Sequence, residues 1–302
     1  MQREKVSEEN RRDVHVPLPA AVHAAHRLKT IRVVVLVLTL LVALAILLPV
    51  LDHVRQQAFR AVCATHLSGI GMAMLGYAHD YDGEFPRSGG PDSRWGRRIP
   101  NWIAQDRRSA YGLTAEGARG VGTISSSFYL LIKYGFSLPL SDFVCRGDAG
   151  TGVFDPAKEG VGDRRLHDLW DFGAVPSERV SYSYHMPFGV HRLKPSSNPG
   201  MVIAADRNPF IESPMAEPKS IGLFVPEGDG GAIKIGNAYQ HQGDGQNVLF
   251  VDTHVRFEKA PYCGVDDDNI YTFWDGGDIR RGAMPLLGSE PQDQADSLLV
   301  HD

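Results

Sequence analysis

Apolar residues are unevenly spread along this chain. Val33 to Leu51 reads VVVLVLTLLVALAILLPVL, with no charge, one Thr and one Pro, and Arg32 and Asp52 bound it. A helix needs roughly 20 apolar residues to cross a bilayer, because each adds about 1.5 Å of rise. The run predicts a transmembrane helix over 33–51. A buried core helix is the soluble alternative, but core helices rarely run so far without a polar residue. No second run is comparable, so a single span is expected.

From Asp52 to Tyr77 the pattern narrows to one stripe. Phe59, Val62, Cys63, Leu67, Ile70, Met74 and Tyr77 recur three and four apart, with Gln57, Ala61, Thr65 and Ser68 opposite. That spacing puts the apolar positions on one helical face. The helix therefore continues beyond the membrane and needs a partner, which a sheet from the remaining chain supplies. Gly69, Gly71 and Gly76 each cost up to about 1 kcal/mol relative to Ala. They either allow close packing or mark a bend. Asp82-Gly83 and Pro86 stop the helix.

Downstream the periods are short. Ser127 to Gly135 predicts a short helix with Gly135 as its C-cap, and Asp142 to Cys145 a short strand or bend. Val180 to His185 alternates Val/Tyr/Tyr with Ser/Ser/His, the period of a strand. Met201–Ala205 and Asn247–Val251 read as strands, and His254–Phe257 as another. Asp252-Thr253 must turn the last pair, at a place where Gly is preferred. Residues 87–122 and 147–178 read as loops. The fold class expected is α+β: a long N-terminal transmembrane helix extending onto an antiparallel β-sheet, with long loop insertions. The divisions expected are a tail over 1–32, the span over 33–51, extended helix and turn over 52–85, an exported domain over 86–285 and a flexible C-terminal tail over 286–302.

Charge orients the span. Arg3, Lys5, Arg11, Arg12, Arg27, Lys29 and Arg32 precede it, and only Arg55 and Arg60 closely follow. Lys and Arg are retained in the cytoplasm, so the N-terminus is expected inside and the body outside, on the inner (cytoplasmic) membrane with a periplasmic domain. A cleaved signal peptide is the rival. The run is long for an h-region of about 7–15 residues, and Leu48-Pro49-Val50-Leu51-Asp52 is a poor cleavage context. Residues 1–27 are expected to be a disordered cytoplasmic tail, with His15, His23 and His26 as solvated residues of it. Of 302 residues, 43% are hydrophobic and 22% charged, which is ordinary globular composition, and the net charge of −5 provides no basic field for nucleic acid. The lipid bilayer is a partner and nucleic acid is not.

Cys63, Cys145 and Cys263 are widely spaced with no CxxC, which argues against a metal-thiolate site. An exported domain can pair two and leave one free; the spacing leaves open which two. His241, Asp244, Asp252 and His254 are the candidates for acid–base or metal chemistry. A strand separates His241 from Asp252, no Glu or Cys completes a metal set, and no Ser elbow or HExxH is present. His241-Gln-Gly-Asp-Gly therefore reads as a Gly-shaped turn before the last hairpin, and no catalytic residue is expected. Asp266, Asp268, Asp275 and Asp278 are the candidate Ca2+ ligands, since that ion takes six to eight oxygens, although the EF-hand pattern is lacking and a solvated acidic loop is the default. Trp95, Trp102, Trp170 and Trp274, scattered among loops, suggest a sugar- or partner-binding surface without demanding it.

Three pieces, in this order, resemble the pseudopilin-like proteins of the type II secretion protein G class. The nearest variety is the planctomycete type, with a C-terminal H-x9-DG motif and the domain of unknown function numbered 1559. LLPVLDHVRQQAFRAVC (47–63), with His66-Leu67 and Ile70-Gly71 up to Tyr77, is similar to its LLPAL…C…NLkqIG segment. Asp82-Gly-Glu-Phe-Pro86 is similar to its DGxFP. HQGDGQNVLFVDTHVRF (241–257) is similar to a longer variant of the motif, carried on His241, Gly243, Gly245, Asn247 and Asp252, with Thr253 in place of Gly. The resemblance covers both ends of the body and spares much of 87–180. It implies a pilin-like fold, a non-enzymatic role in the envelope or in secretion, and contacts with other envelope or secretion proteins through the N-terminal helix. Major pseudopilins bind calcium near the C-terminus, which makes Ca2+ the one cofactor to consider. Arg27 stands where the family has the Gly at which prepilin peptidase cuts, and Arg32 where it has Glu. An unprocessed anchor is therefore expected. The alternative is a membrane-tethered glycan- or calcium-binding module, and a hydrolase around His241 and Asp252 is a third reading.

Overall fold

A computed structural model describes the backbone of residues 19–302, and the side chains of Arg27 and of 29–302. The expectations for the tail before residue 19, and for His15, His23 and His26, lie outside what it describes. Helix α1 runs Pro19–Asp80 without interruption, and the chain divides after Arg55 into two units. In the first unit the apolar side chains of Val33–Leu51 stand exposed, as in Leu36, Leu40, Ile46 and Leu51. Among the described residues, α1 alone is long and apolar enough to cross a membrane by length and composition. Pro49 lies inside it; the missing N–H and the ring would ordinarily break a soluble helix.

The second unit, residues 56–302, takes its core from the expected stripe. Cys63, Leu67, Ile70, Met74 and Tyr77 are buried. Phe59 is only half-buried and Val62 is exposed, so the stripe is narrower at its start than its spacing suggests. The partner is a five-stranded antiparallel sheet in the order β6-β5-β4-β3-β7. Its strands are β3 (Tyr182–His185), β4 (Val202–Asp206), β5 (Gln246–Phe250), β6 (Val255–Glu258) and β7 (Leu299–Val300). One face, with Tyr182, Tyr184, Ala204 and Leu249, packs against α1. The other, with Val202, Ala205, Val248 and Phe250, is covered by Phe210, Phe224, Ile270 and Tyr271. Gly71 is what lets the helix lie close: a Cβ there would sit 2.8 Å from Leu249 Cδ1. Gly71 thus permits close packing rather than a bend.

The shorter elements lie in the insertions. β1 (Arg94–Trp95) and β2 (Val121–Gly122) pair in parallel, α2 spans Arg107–Tyr111, and α4 spans Gly230–Lys234. Helix α3 is Ile124–Lys133 and starts earlier than its apolar run, because Thr123 and Ser126 form a capping box. Gly135 closes it with a φ of 83°. Of the strand or bend expected over Asp142 to Cys145, the bend is found at Val144, after a turn of 3-10 helix over residues 140–143.

The β5–β6 hairpin pairs Leu249 with Val255 and Gln246 with Glu258. Thr253 N donates to Phe250 O at 2.9 Å, and Thr253 has a φ of 70°. A β-branched residue there is strained, as expected where the motif has Gly.

The expected flexible tail over 286–302 is corrected by the structure. Leu298, Leu299 and Val300 are fully buried, and β7 pairs with β3 through Tyr184↔Val300 and His185↔Leu299. Asp302 then accepts hydrogen bonds from Ile124 N and Ser125 N, at 2.9 and 2.7 Å. A carboxylate is favoured there because the first N–H groups of a helix lack internal partners. Three apolar residues are too few to show a period, so only pairing reveals this strand.

β7 also locks a histidine. Asn208 N donates to Ser183 Oγ, which leaves the Ser183 hydroxyl to donate to His301 Nδ1 at 3.1 Å, while Nε2–H donates to Glu212 O at 3.2 Å. Both ring nitrogens are committed in the neutral form. Burial first, and then the Arg207 charge, push His301 down to about 3. An unfolded histidine titrates near 6.5. The stability this site supports is therefore complete above pH 6.5 and is lost as pH falls toward 3. His301→Gln is expected to be less stable than wild type at pH 7, with the difference in Tm narrowing by pH 4. An unchanged difference would mean that His301 is charged in the folded chain.

Candidate functional site

His241 and Asn247 meet Asp206, Cys145 and Cys63 in one buried cluster. His241 follows α4 in a turn that needs left-handed backbone at Gln242 (φ 61°) and Gly243 (φ 70°). Asn237 Nδ2 ties that turn down by donating to Gly243 O and Lys259 O, each at 2.9 Å. The imidazole is fully buried. Its Nε2 lies 3.2 Å from Asp206 Oδ2, 3.2 Å from Asn247 Nδ2 and 3.8 Å from Cys145 Sγ. Asp206 ends β4, and its Oδ2 also accepts Asn247 N at 2.6 Å. Cys63 reaches the same point from α1. The ligand atoms of Cys63, Cys145 and His241 all lie within 4.8 Å of one another.

Burial alone would push His241 down. The adjacent Asp206 charge and hydrogen bond outweigh it and hold the ring well above its ordinary value. A hydrogen bond from the Cys145 thiol, with burial opposing and His241 assisting, holds Cys63 below the ordinary thiol value. The Cys145 thiol is raised, first by donating to Cys63 and then by burial. A nucleophilic sulfur, a base and a carboxylate are thus adjacent. Yet Cys63 and His241 are 0% exposed, Asp206 0% and Cys145 1%, so no substrate reaches them in this state. What the arrangement can do is hold a thiophilic metal on two sulfurs and an imidazole, or join the two sulfurs.

The remaining candidates lie elsewhere. Asp252 and His254 pair with each other at 2.5 Å on the exposed hairpin tip, so the carboxylate beside His241 is Asp206 and not Asp252. Asp244 turns outward to Arg60 at 2.8 Å and Lys234 at 2.5 Å. The four candidate Ca2+ ligands do not converge. Asp268 is buried and accepts Ser297 N at 2.6 Å, with burial pushing it up to about 8. Asp266 is exposed in a 3-10 turn. Asp275 accepts Gly277 N, and Asp278 pairs with Arg280 at 3.0 Å. Among the described residues, the one convergent group of metal-ligating side chains is Cys63, Cys145 and His241. These sulfurs come together through the fold, not through local spacing. Two of the tryptophans, Trp102 and Trp170, are neighbours, with Trp170 N donating to Trp102 O at 2.8 Å. Trp170 is buried on Tyr111 and Trp102 packs on Phe154. Comparison of the chain with family models, with curated proteins and with solved structures finds no match.

Proposed function

We propose that the chain is a single-pass, membrane-anchored, non-enzymatic envelope protein of pseudopilin-like build, left uncut by prepilin peptidase. The observation that carries this reading is α1. It is one 62-residue helix, apolar and exposed over its first unit, and in its second half it supplies Cys63, Leu67, Ile70 and Met74 to the core of the antiparallel body. An anchor that is also the central core helix suits a protein whose task is to hold its body at a membrane and meet neighbours there. Bilayer and envelope or secretion proteins are its partners, with the N-terminus cytoplasmic and the body periplasmic. The sealed His241 cluster supports a structural rather than a catalytic role.

Arg27 and Arg32 lead to the test. Protein from purified native membranes is expected to have the mass of the full chain, from Met1 or Gln2. A mass lacking roughly the first 27 residues would overturn the unprocessed anchor in favour of a filament subunit.

A second reading, a membrane-tethered glycan-binding module, is favoured by one feature. A groove of about 780 Å³ is lined by Asp92, Arg94, Trp95, Phe188 and Glu290, among others. Such a mix of aromatic and charged groups suits a sugar, and retention of the protein on insoluble cell-wall glycan would favour this reading.

A further inference from the structure

We propose that Cys63 and Cys145 are disulfide partners, joining helix α1 to the turn after residues 140–143, and that Cys263 stays a free thiol. The two sulfurs lie in one sealed pocket within 4.8 Å of each other. Closing to the roughly 2.05 Å of a disulfide takes a shift of under about 3 Å between the two sulfurs. Cys263 is partly exposed and its sulfur faces Pro261 O at 3.8 Å, so it belongs to neither partner.

A metal on the same atoms is the competing occupant, and the surroundings disfavour it. His241 Nε2, 3.8 Å from Cys145 Sγ, already lies 3.2 Å from Asp206 Oδ2 and 3.2 Å from Asn247 Nδ2, and so has partners without a metal. Asp206 is not within the 4.8 Å group, and no fourth donor completes the set among the described residues. A buried structural zinc takes four protein ligands. A disulfide needs nothing beyond the two sulfurs, and leaves His241 and Asp206 as a pair.

The oxidant is a disulfide-bearing thiol oxidant of an oxidising compartment, so its supply in the cell rests on the exported placement proposed above. The Cys63 thiolate attacks one sulfur of the oxidant's disulfide, breaking that bond and expelling one oxidant thiolate. Cys145 then gives up its proton, and its sulfur attacks Cys63, expelling the second thiolate. The chain loses two protons and two electrons, and the oxidant becomes a dithiol. Because both sulfurs are sealed in the folded body, the exchange precedes the packing of α1 during folding.

The test is alkylation of the full chain from native membranes, trapped under denaturing conditions without reductant, followed by peptide mapping. The expected result is one alkylated cysteine, Cys263, and a peptide linked through Cys63 and Cys145. With Cys63→Ser, two alkylated cysteines are expected; with Cys263→Ser, none. A link through Cys263, or masking of Cys63 and Cys145 that a chelator alone removes, would overturn the pairing. Refolding the full-length, detergent-solubilised chain in a glutathione redox mixture removes the compartment from the question. A linked pair there, with free thiols in membranes, would keep the pairing and refute the exported placement. Free thiols in both would refute the pairing.

Discussion

Replacing Arg207 by alanine is expected to lower stability by about 3–5 kcal/mol, because it strands a buried carboxylate. For a unit of this size that is roughly 10 °C or more in Tm. Arg207 follows β4 and is 3% exposed. Its Nε lies 3.7 Å from Asp148 Oδ2, whose side chain is itself sealed. The same guanidinium donates to Val180 O, to Ser177 O and to Thr151 Oγ1. Two loop segments, 148–151 and 177–180, thus converge on one planar donor, and no smaller side chain replaces the fork. The loss does not stop at the ion pair. Asp148 closes the turn that starts at Cys145, its N–H donating to Cys145 O at 3.0 Å. Loosening it frees the sulfur that faces His241. Chemical unfolding of Arg207→Ala, Asp148→Asn and the double variant checks this. The double variant is expected to be more stable than the sum of its parts, since removing both partners leaves no unpaired charge. Additive losses, or a loss below about 1 kcal/mol for Arg207→Ala, would mean that the pair is hydrated.

Several parts of this fold are legible from period alone, and the reason is burial on one face. α1 reveals its core stripe through Cys63, Leu67, Ile70, Met74 and Tyr77 because a helix on a sheet hides one side. β3, β4 and the β5–β6 hairpin show as apolar or alternating runs of four or five residues. β7, β1, β2 and α2 are too short to carry a period. β7 exists only because Tyr184 and His185 offer it a free edge. The candidate site follows the same division. His241 and Asn247 are visible as members of one motif, six residues apart. Their partners are not: Cys145 is 96 residues from His241, and Asp206 is 41 from Asn247. Asp206 reads as the end of a buried strand, which is where it lies, and nothing local marks it as the carboxylate for an imidazole. The acidic stretch over 266–278 misleads for the converse reason. Local crowding of carboxylates suggests an ion, but Asp268 and Asp275 accept from backbone N–H groups and Asp278 pairs with Arg280.

Gly245→Ala is expected to be as damaging as the loss of Arg207, about 3–5 kcal/mol, while its neighbour Gly243 tolerates replacement. Both belong to the His241 turn, and both have positive φ, so the sign of φ alone does not separate them. Surroundings do. At Gly243, φ is 70° and an added Cβ would have nothing nearer than Lys234 O at 3.6 Å. Asn adopts that backbone with little strain, so Gly243→Asn is expected to change stability by less than about 1 kcal/mol. At Gly245, φ is 154° and a Cβ would sit 2.1 Å from Glu258 O and 2.8 Å from the Phe257 ring. Glu258 O is backbone in β6, fixed by the pairing of Gln246 with Glu258, so it cannot move aside as a flexible side chain can. Strained backbone costs about 1–3 kcal/mol and overpacking about as much again. The alternative to paying both is separation of β5 from β6 at its first pair, which would also shift Asn247, and with it the N–H that Asp206 accepts. Denaturant unfolding of the two glycine variants side by side is the measurement. A large loss at Gly245 alone assigns the motif to shaping the chain before the hairpin. Equal stability of the two variants would mean that the hairpin yields there, and that the Gly245 position serves something other than packing.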